Sequence, residues 1–216
     1  MNAHDVLIRV CLVVYIAFSC FIIALPLFFT HGDAPCSTGS SCGCEWGVTV
    51  SALIEDETLR AVFGGLSVGP LLAVWTFSTP ALMDQQNVIL SYLLLILLTL
   101  FTLSWVGFLA FSACTELPHA ISVYLAASTG VILYAVVVAH STHQVPRVSR
   151  ARVLHTEEVS FSLVLVSLMC LCAFVVSGLA YNAGANVPVF LPWLFESLGL
   201  VMGLALPFHH LGVWSR

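Results

Sequence analysis

The stretch "LFESLGLVMGLALPFHHLGVWSR", residues 194–216, poses the problem that the fold must solve. It is apolar enough to cross a bilayer, whose hydrocarbon core of about 30 Å needs roughly 20 apolar residues in a helix. It nevertheless carries one carboxylate, Glu196, and two adjacent histidines, His209 and His210. Ionisable side chains are costly inside a membrane and by default mark functional sites. The stretch therefore predicts a membrane span with a functional face.

The composition of the whole chain indicates an integral membrane protein. Of 216 residues, 60% are hydrophobic and 8% are charged, whereas soluble domains carry about 25% charged residues. Transmembrane β-strands would be about half as long as the apolar stretches and would alternate in polarity, so helices are favoured. We predict an all-α fold, a single bundle of six transmembrane helices over residues 1–216, with spans at 7–29, 60–82, 88–112, 119–140, 159–181 and 188–213.

The arginine distribution predicts the orientation of the bundle. The connection at 141–158 holds three of the six arginines, which places it in the cytosol because basic residues favour that side. Both termini, with Arg9 and Arg216, are then cytosolic, and residues 30–59 form a lumenal loop. The first span is expected to be retained, since its apolar stretch exceeds the 7–15 residues of a signal-peptide core. A net charge of −5 argues against a nucleic-acid partner.

The lumenal loop contains Cys36, Cys42 and Cys44. Because the lumen is oxidising, a disulfide between Cys36 and either of the other two is the favoured interpretation. The third thiol would pair with Cys114 or remain free. A zinc site with His31 is the alternative, but C-x5-C-x-C lacks the second pair that is usual for zinc. No cofactor is predicted.

Helical periodicity places Glu196 on the same face as two glycines of the last span. At 100° per residue, Glu196, Gly199 and Gly203 share one side, and a G-x-x-x-G pair lets a neighbouring helix approach closely. Glu196 is therefore predicted to face the bundle interior, in the lumenal half of the span. His210 lies about 21 Å farther along the helix, so the histidine pair belongs near the opposite headgroups or takes part in binding.

The fourth span offers a partner for Glu196 on the same side of the membrane. His119 follows Pro118 at its start and shares a face with Ser122 and Ala126. A histidine beside a carboxylate forms either a general acid–base pair or a hydrogen-bonded structural pair. Both interpretations remain open at this point. The acidic cluster at 55–57 is likewise open to two interpretations, a solvated helix start or the entrance to a lumenal site.

Three segments in order carry a resemblance to a known family. They are "VSALI" followed by "LRAVFGGLSVGPLLAVW", then "LPHAISVYLAAST", then "FLPWLFESLGLVMGLALPFHHLGVW". The chain resembles the six-span family that includes the autophagy modulators and the post-GPI-attachment factors, and is most similar to the latter. The matching positions include His119, Glu196, Phe208, His209 and Trp214. Ser122 or Ile121 stands near the position where the family has an asparagine.

The resemblance implies GPI-anchor lipid remodelling, the reacylation of lyso-GPI proteins in the lumenal leaflet of the Golgi or ER. His119 would act as the base and Glu196 would orient it, if the chain itself transfers the acyl group. The sequence lacks acyltransferase motifs, so a lipid-presenting role is equally expected. The alternative is a non-enzymatic regulator or an accessory subunit of a membrane complex. Expected partners are membrane lipid, GPI-anchored proteins and other membrane proteins, and the expected substrate-binding residues are Ser51, Glu55, Ser122, His209 and Trp214.

Overall fold

The computed structural model describes residues 3–29, 48–83, 88–111, 116–144 and 150–210. Throughout these ranges the regular structure is helical, without a strand. The elements are α1 (Ala3–Ala24, continued by a 3-10 turn, Leu25–Phe29), α2 (Val50–Leu53), α3 (Glu57–Leu82), α4 (Val88–Ala110), α5 (Glu116–Gln144), α6 (Arg150–Asn182) and α7 (Leu191–His210).

The predicted membrane bundle is confirmed. Within the described residues, six helices are long and apolar enough to span a bilayer, namely Val6–Leu27, Glu57–Leu82, Val88–Ala110, Leu117–His140, Phe161–Asn182 and Leu191–His209. Each overlaps one predicted span. The chain is thus an all-α, multi-pass membrane protein, and its orientation stays a prediction. We call the end of the bundle where α1 ends, and where α3, α5 and α7 begin, the loop face.

The short helix α2 was not anticipated, because four residues carry no hydropathy period. It lies at the loop face, where Val50, Leu53 and Ile54 are buried. Asp56 begins the next helix, and its Oδ1 accepts the backbone N–H groups of Thr58 and Leu59 at 2.9 and 3.0 Å. The interpretation of the acidic cluster as a helix start is confirmed at Asp56. The predicted disulfide cysteines Cys36, Cys42 and Cys44, together with His31, Cys114 and Trp214, lie outside the described residues.

The helices pack in antiparallel pairs, α1 on α3, α4 on α5 and α6 on α7. In the last pair the predicted glycine face meets α6. The Ser167 Oγ donates to the Gly199 carbonyl at 2.8 Å, and a Cβ added at Gly203 would stand 3.0 Å from that same Oγ. The small residues therefore let the two backbones approach closely, as the G-x-x-x-G spacing predicts.

An aromatic cluster joins the first helix pair to the second near the loop face. Phe63 of α3 contacts Phe18 of α1 and stacks on Trp105 of α4, with ring centroids 5.1 and 6.2 Å apart, and it meets Phe108 edge-to-face at 5.6 Å. Such pairs contribute roughly 0.5–1.5 kcal/mol each beyond the area they bury. On the other side, the Tyr15 hydroxyl of α1 donates to the α7 backbone at 2.7 Å, which closes the bundle.

The tightest contact between α1 and α3 predicts a sharp difference between two glycines of α3. A Cβ at Gly69 would lie 2.6 Å from the Val14 side chain and 3.3 Å from the Cys11 carbonyl oxygen, whereas a Cβ at Gly65 meets nothing within 4 Å. Gly69→Ala should destabilise the protein by about 1–3 kcal/mol through overpacking. Gly65→Ala should leave it unchanged or raise its stability by up to about 1 kcal/mol, since alanine favours helix. Thermal unfolding in detergent measures both, and equal midpoints would contradict the α1–α3 packing.

Candidate functional site

Glu196 is buried at the loop face and binds the start of α2. Its side chain is 4% exposed, and its Oε2 accepts the backbone N–H of Val50 at 2.5 Å. The Ser51 side chain forms a second hydrogen bond to the same carboxyl group. The prediction that Glu196 faces inward is therefore confirmed, and its partners are the first two residues of α2.

These contacts complete the capping of α2. The first N–H groups of any helix have no partner within it. Glu196 accepts the one from Val50, and the Thr49 hydroxyl, at the N-cap, accepts the one from Ala52 at 3.0 Å. A helix of one turn supplies little stability of its own. We infer that α2 holds its place because α7 supplies the acceptor.

Neighbouring contacts fix the rest of the α2 segment. The Val48 N–H donates to the Val189 carbonyl at 3.0 Å, just before α7. At the other end, Arg60 donates to the backbone carbonyls of Ile54 and Glu55 at 3.2 and 3.1 Å, and its guanidinium lies 3.0 Å from the Glu55 carboxylate. This accounts for the one arginine of the second span at the predicted lumenal end. It also gives Glu55, an expected substrate-binding residue, an ion pair.

His119 is buried against α4 rather than α7. Its Nδ1 lies 2.9 Å from the Phe111 carbonyl oxygen, and its ring centroid is 5.3 Å from that of Phe108. A carbonyl oxygen only accepts, so Nδ1 carries a proton, and in a neutral ring with that proton the lone pair is on Nε2. That Nε2 is buried without a hydrogen-bond partner among the described residues. His119 therefore has the tautomer of a base.

The face shared by His119, Ser122 and Ala126 is confirmed as a buried one, since all three are at most 9% exposed. The Ser122 hydroxyl donates to the Pro118 carbonyl at 2.9 Å. Its Oγ would lie 2.6 Å from a Cβ added at Gly107 of α4. This face packs on α4. The hydrogen bonds of His119 and Glu196 thus run to different elements, and the proposed acid–base pair remains a hypothesis.

An apolar cavity lies between α4, α5, α6 and α7. Its volume is about 100 Å³, and the empty space reaches about 860 Å³ only when the open side is counted. The wall contains one ionisable carboxylate, Glu196, at its loop-face end. Phe108, which stacks on His119, also lines it. The remaining wall is largely aliphatic and aromatic, including Phe101, Trp105, Val123, Ala127, Val131, Tyr134, Leu171, Phe174, Leu200 and Leu206.

The cavity opens sideways between α5 and α6. These two helices touch sparingly compared with the α4–α5 and α6–α7 pairs. The wall residues on either side of the gap, Val123, Ala127 and Val131 on α5 and Leu171 and Phe174 on α6, are partly exposed. In a membrane this side faces the acyl chains of lipids. The opening therefore lies on the side of the bundle that faces the bilayer.

Two wall residues that the sequence did not single out carry buried polar atoms. The Nε1 of Trp105 and the hydroxyl of Tyr134 have no hydrogen-bond partner among the described residues. Both lie within strongly apolar stretches, so no local pattern distinguishes them. His209, an expected binding residue, is partly buried near the far end of α7 and does not line the cavity. In the described part of the chain, no three His, Cys, Asp or Glu side chains cluster to hold a metal.

Removing the carboxyl group of Glu196 should release α2. Glu196→Ala leaves the Val50 N–H without an acceptor, at a cost of about 1–3 kcal/mol, whereas Glu196→Gln keeps an acceptor oxygen. Hydrogen exchange over residues 48–55 should become much faster in the alanine variant and change little in the glutamine variant. Glu55→Gln is the control, because a partly exposed ion pair contributes only about 0–1 kcal/mol. Unchanged exchange in Glu196→Ala would contradict the anchoring role.

Comparison with protein-family models, curated proteins and solved structures finds no match for this chain. The arrangement of its own residues is therefore the basis for a functional proposal.

Proposed function

We propose that the chain binds a membrane lipid in the cavity between α4, α5, α6 and α7. In this proposal it serves the lipid remodelling of GPI anchors in a Golgi or ER membrane, chiefly by presenting the acyl chain. The observation that carries lipid binding is the apolar cavity with its open side toward the bilayer. An apolar wall with few polar groups is typical of a site for a hydrophobic ligand. The assignment to GPI anchors rests on the resemblance of the three sequence segments.

Presentation is favoured over direct acyl transfer by the state of Glu196. Its carboxyl group is already hydrogen bonded to Val50 and Ser51, so it holds the loop rather than orienting His119. The hydroxyl of Ser167, another wall residue, donates to a backbone carbonyl. An activated nucleophile would instead donate to a neighbouring base.

Direct acyl transfer is the second candidate, and the tautomer of His119 is the observation that favours it. With Nδ1–H on the Phe111 carbonyl, Nε2 is ready to take a proton from a lipid hydroxyl. Phe108 lies against the ring and also lines the cavity. A lipid bound in the cavity therefore reaches the His119 Nε2 only if the lipid hydroxyl passes Phe108.

Lipid analysis of GPI-anchored proteins in cells lacking this chain tests the proposal. We expect the lyso form, or an anchor that keeps its original chains, to accumulate. Wild type should restore the remodelled anchor, and Val131→Trp, which fills the cavity mouth, should not. Ile132→Trp, at the next position but 49% exposed and outside the cavity wall, should restore it fully at equal expression.

Normal anchors in cells without the chain would remove the GPI proposal and favour the regulatory or accessory alternative. His119→Ala separates presentation from catalysis. If the chain presents lipid, the variant keeps most of the remodelling. If it transfers the acyl group, remodelling falls by about 10²–10⁴-fold, the usual contribution of a general base, while lipid still binds.

A further inference from the structure

Trp105 lines the cavity, and its buried indole N–H is an unused hydrogen-bond donor. The residue is 4% exposed, and its Nε1 has no acceptor in the described part of the chain. An indole N–H only donates, and the hydrocarbon region offers no water to accept from it. A buried polar group without a partner is uncommon in proteins and calls for an explanation. A ligand that brings an acceptor supplies one.

The depth of Trp105 indicates where that acceptor lies. Trp105 is five residues before the end of α4 at Ala110, and Glu196 is five residues after the start of α7 at Leu191. Both are thus about 7–8 Å below the loop face, given a rise of 1.5 Å per residue. Trp105 therefore lines the shallow end of the cavity, at the level of the Glu196 carboxyl group.

The rest of the cavity extends away from this level as an apolar channel. On α7 the wall continues from Glu196 to Leu206, ten residues or about 15 Å. That is half of a hydrocarbon core about 30 Å thick, the depth of one leaflet. An acyl chain that hangs from a polar linkage near Trp105 therefore fits this length.

We propose that the cavity selects an ester-linked acyl lipid, with the ester carbonyl accepting a hydrogen bond from Trp105 Nε1 and the chain running toward Leu206. The inference rests on the proposed lipid-binding function and names the linkage that the site recognises. A carbonyl oxygen is a good acceptor in the position that the donor requires. An ether-linked chain of equal length has a methylene group there and leaves the indole N–H unpaired, so the site should discriminate against it.

Competition binding on the full purified chain in detergent tests this. The probes are dipalmitoyl phosphatidylcholine and its dihexadecyl ether analogue, which share the headgroup and differ at the two carbonyls. Wild type should bind the ester lipid about 3- to 10-fold more tightly, as expected for one net hydrogen bond. Trp105→Phe should bring the ratio to about 1. Trp193→Phe, which also removes a buried unpaired indole N–H but lies outside the cavity wall, should keep the wild-type ratio.

Equal binding of the two lipids by wild type would overturn the assignment, as would a wild-type ratio in Trp105→Phe. The thermal midpoint of Trp105→Phe shows whether this variant folds. If it does not, the ratio of the two affinities in wild type alone decides the assignment. The outcomes also separate the two proposals. Equal affinity leaves the lipid cavity in place and removes the role of Trp105, whereas binding of neither lipid removes both. An ester preference in a chain that proves dispensable for GPI remodelling leaves this inference standing.

Discussion

The hydrogen bond from the Val50 N–H to Glu196 is the interaction on which the loop face depends. A carboxyl group at 4% exposure would be costly without partners, because burying an unpaired charge or polar group loses several kcal/mol. Backbone N–H groups at a helix start need acceptors as much as the carboxyl group needs donors. The hydrogen bond between Val50 and Glu196 satisfies both groups at once, which explains why a membrane span keeps an acidic residue. The loop gains a fixed attachment to α7 and the span gains donors for its carboxylate.

Because Glu196 also lines the cavity, the loop and the cavity share a side chain. Whatever enters the shallow end of the cavity meets a carboxyl group whose hydrogen bonds already run to Val50 and Ser51. In our proposal it also meets the indole N–H of Trp105, which has no partner among the described residues. This combination favours ligands that bring an acceptor over ligands that bring a donor. The opening between α5 and α6 exists because α6 is held to α7 by the glycine face and α5 to α4 by the Ser122 face.

The length of the apolar stretches was enough to predict six spans. Helical periodicity was enough to predict that Glu196 faces inward and that His119 shares a face with Ser122 and Ala126, because it fixes the direction of each side chain around its own helix. Periodicity did not identify which element packs against either face, since that depends on how all the helices are arranged. His119 therefore meets α4 and Phe111, and Glu196 meets α2, although both were predicted on the same side of the membrane as a possible pair. Helix α2 was missed because one turn has no hydropathy period, yet Thr49 at its N-cap is readable. Trp105 gave no signal, because an indole in an apolar stretch looks like any packed aromatic residue.

The position of Phe108 bears on whether His119 does chemistry. The Phe108 ring lies against the His119 imidazole, and Phe108 also lines the cavity. The backbone carbonyl of Phe111 accepts from Nδ1, which in the neutral ring leaves Nε2 unprotonated. Direct transfer thus requires Phe108 to turn aside so that a lipid hydroxyl reaches Nε2, a gating step of the kind that often limits membrane and soluble enzymes alike. Presentation as we propose it requires no motion of Phe108, because the cavity and its opening between α5 and α6 are already formed. The aromatic contact that packs α4 against α5 would therefore separate His119 from a lipid bound as we propose, so that binding needs no rearrangement there and catalysis does.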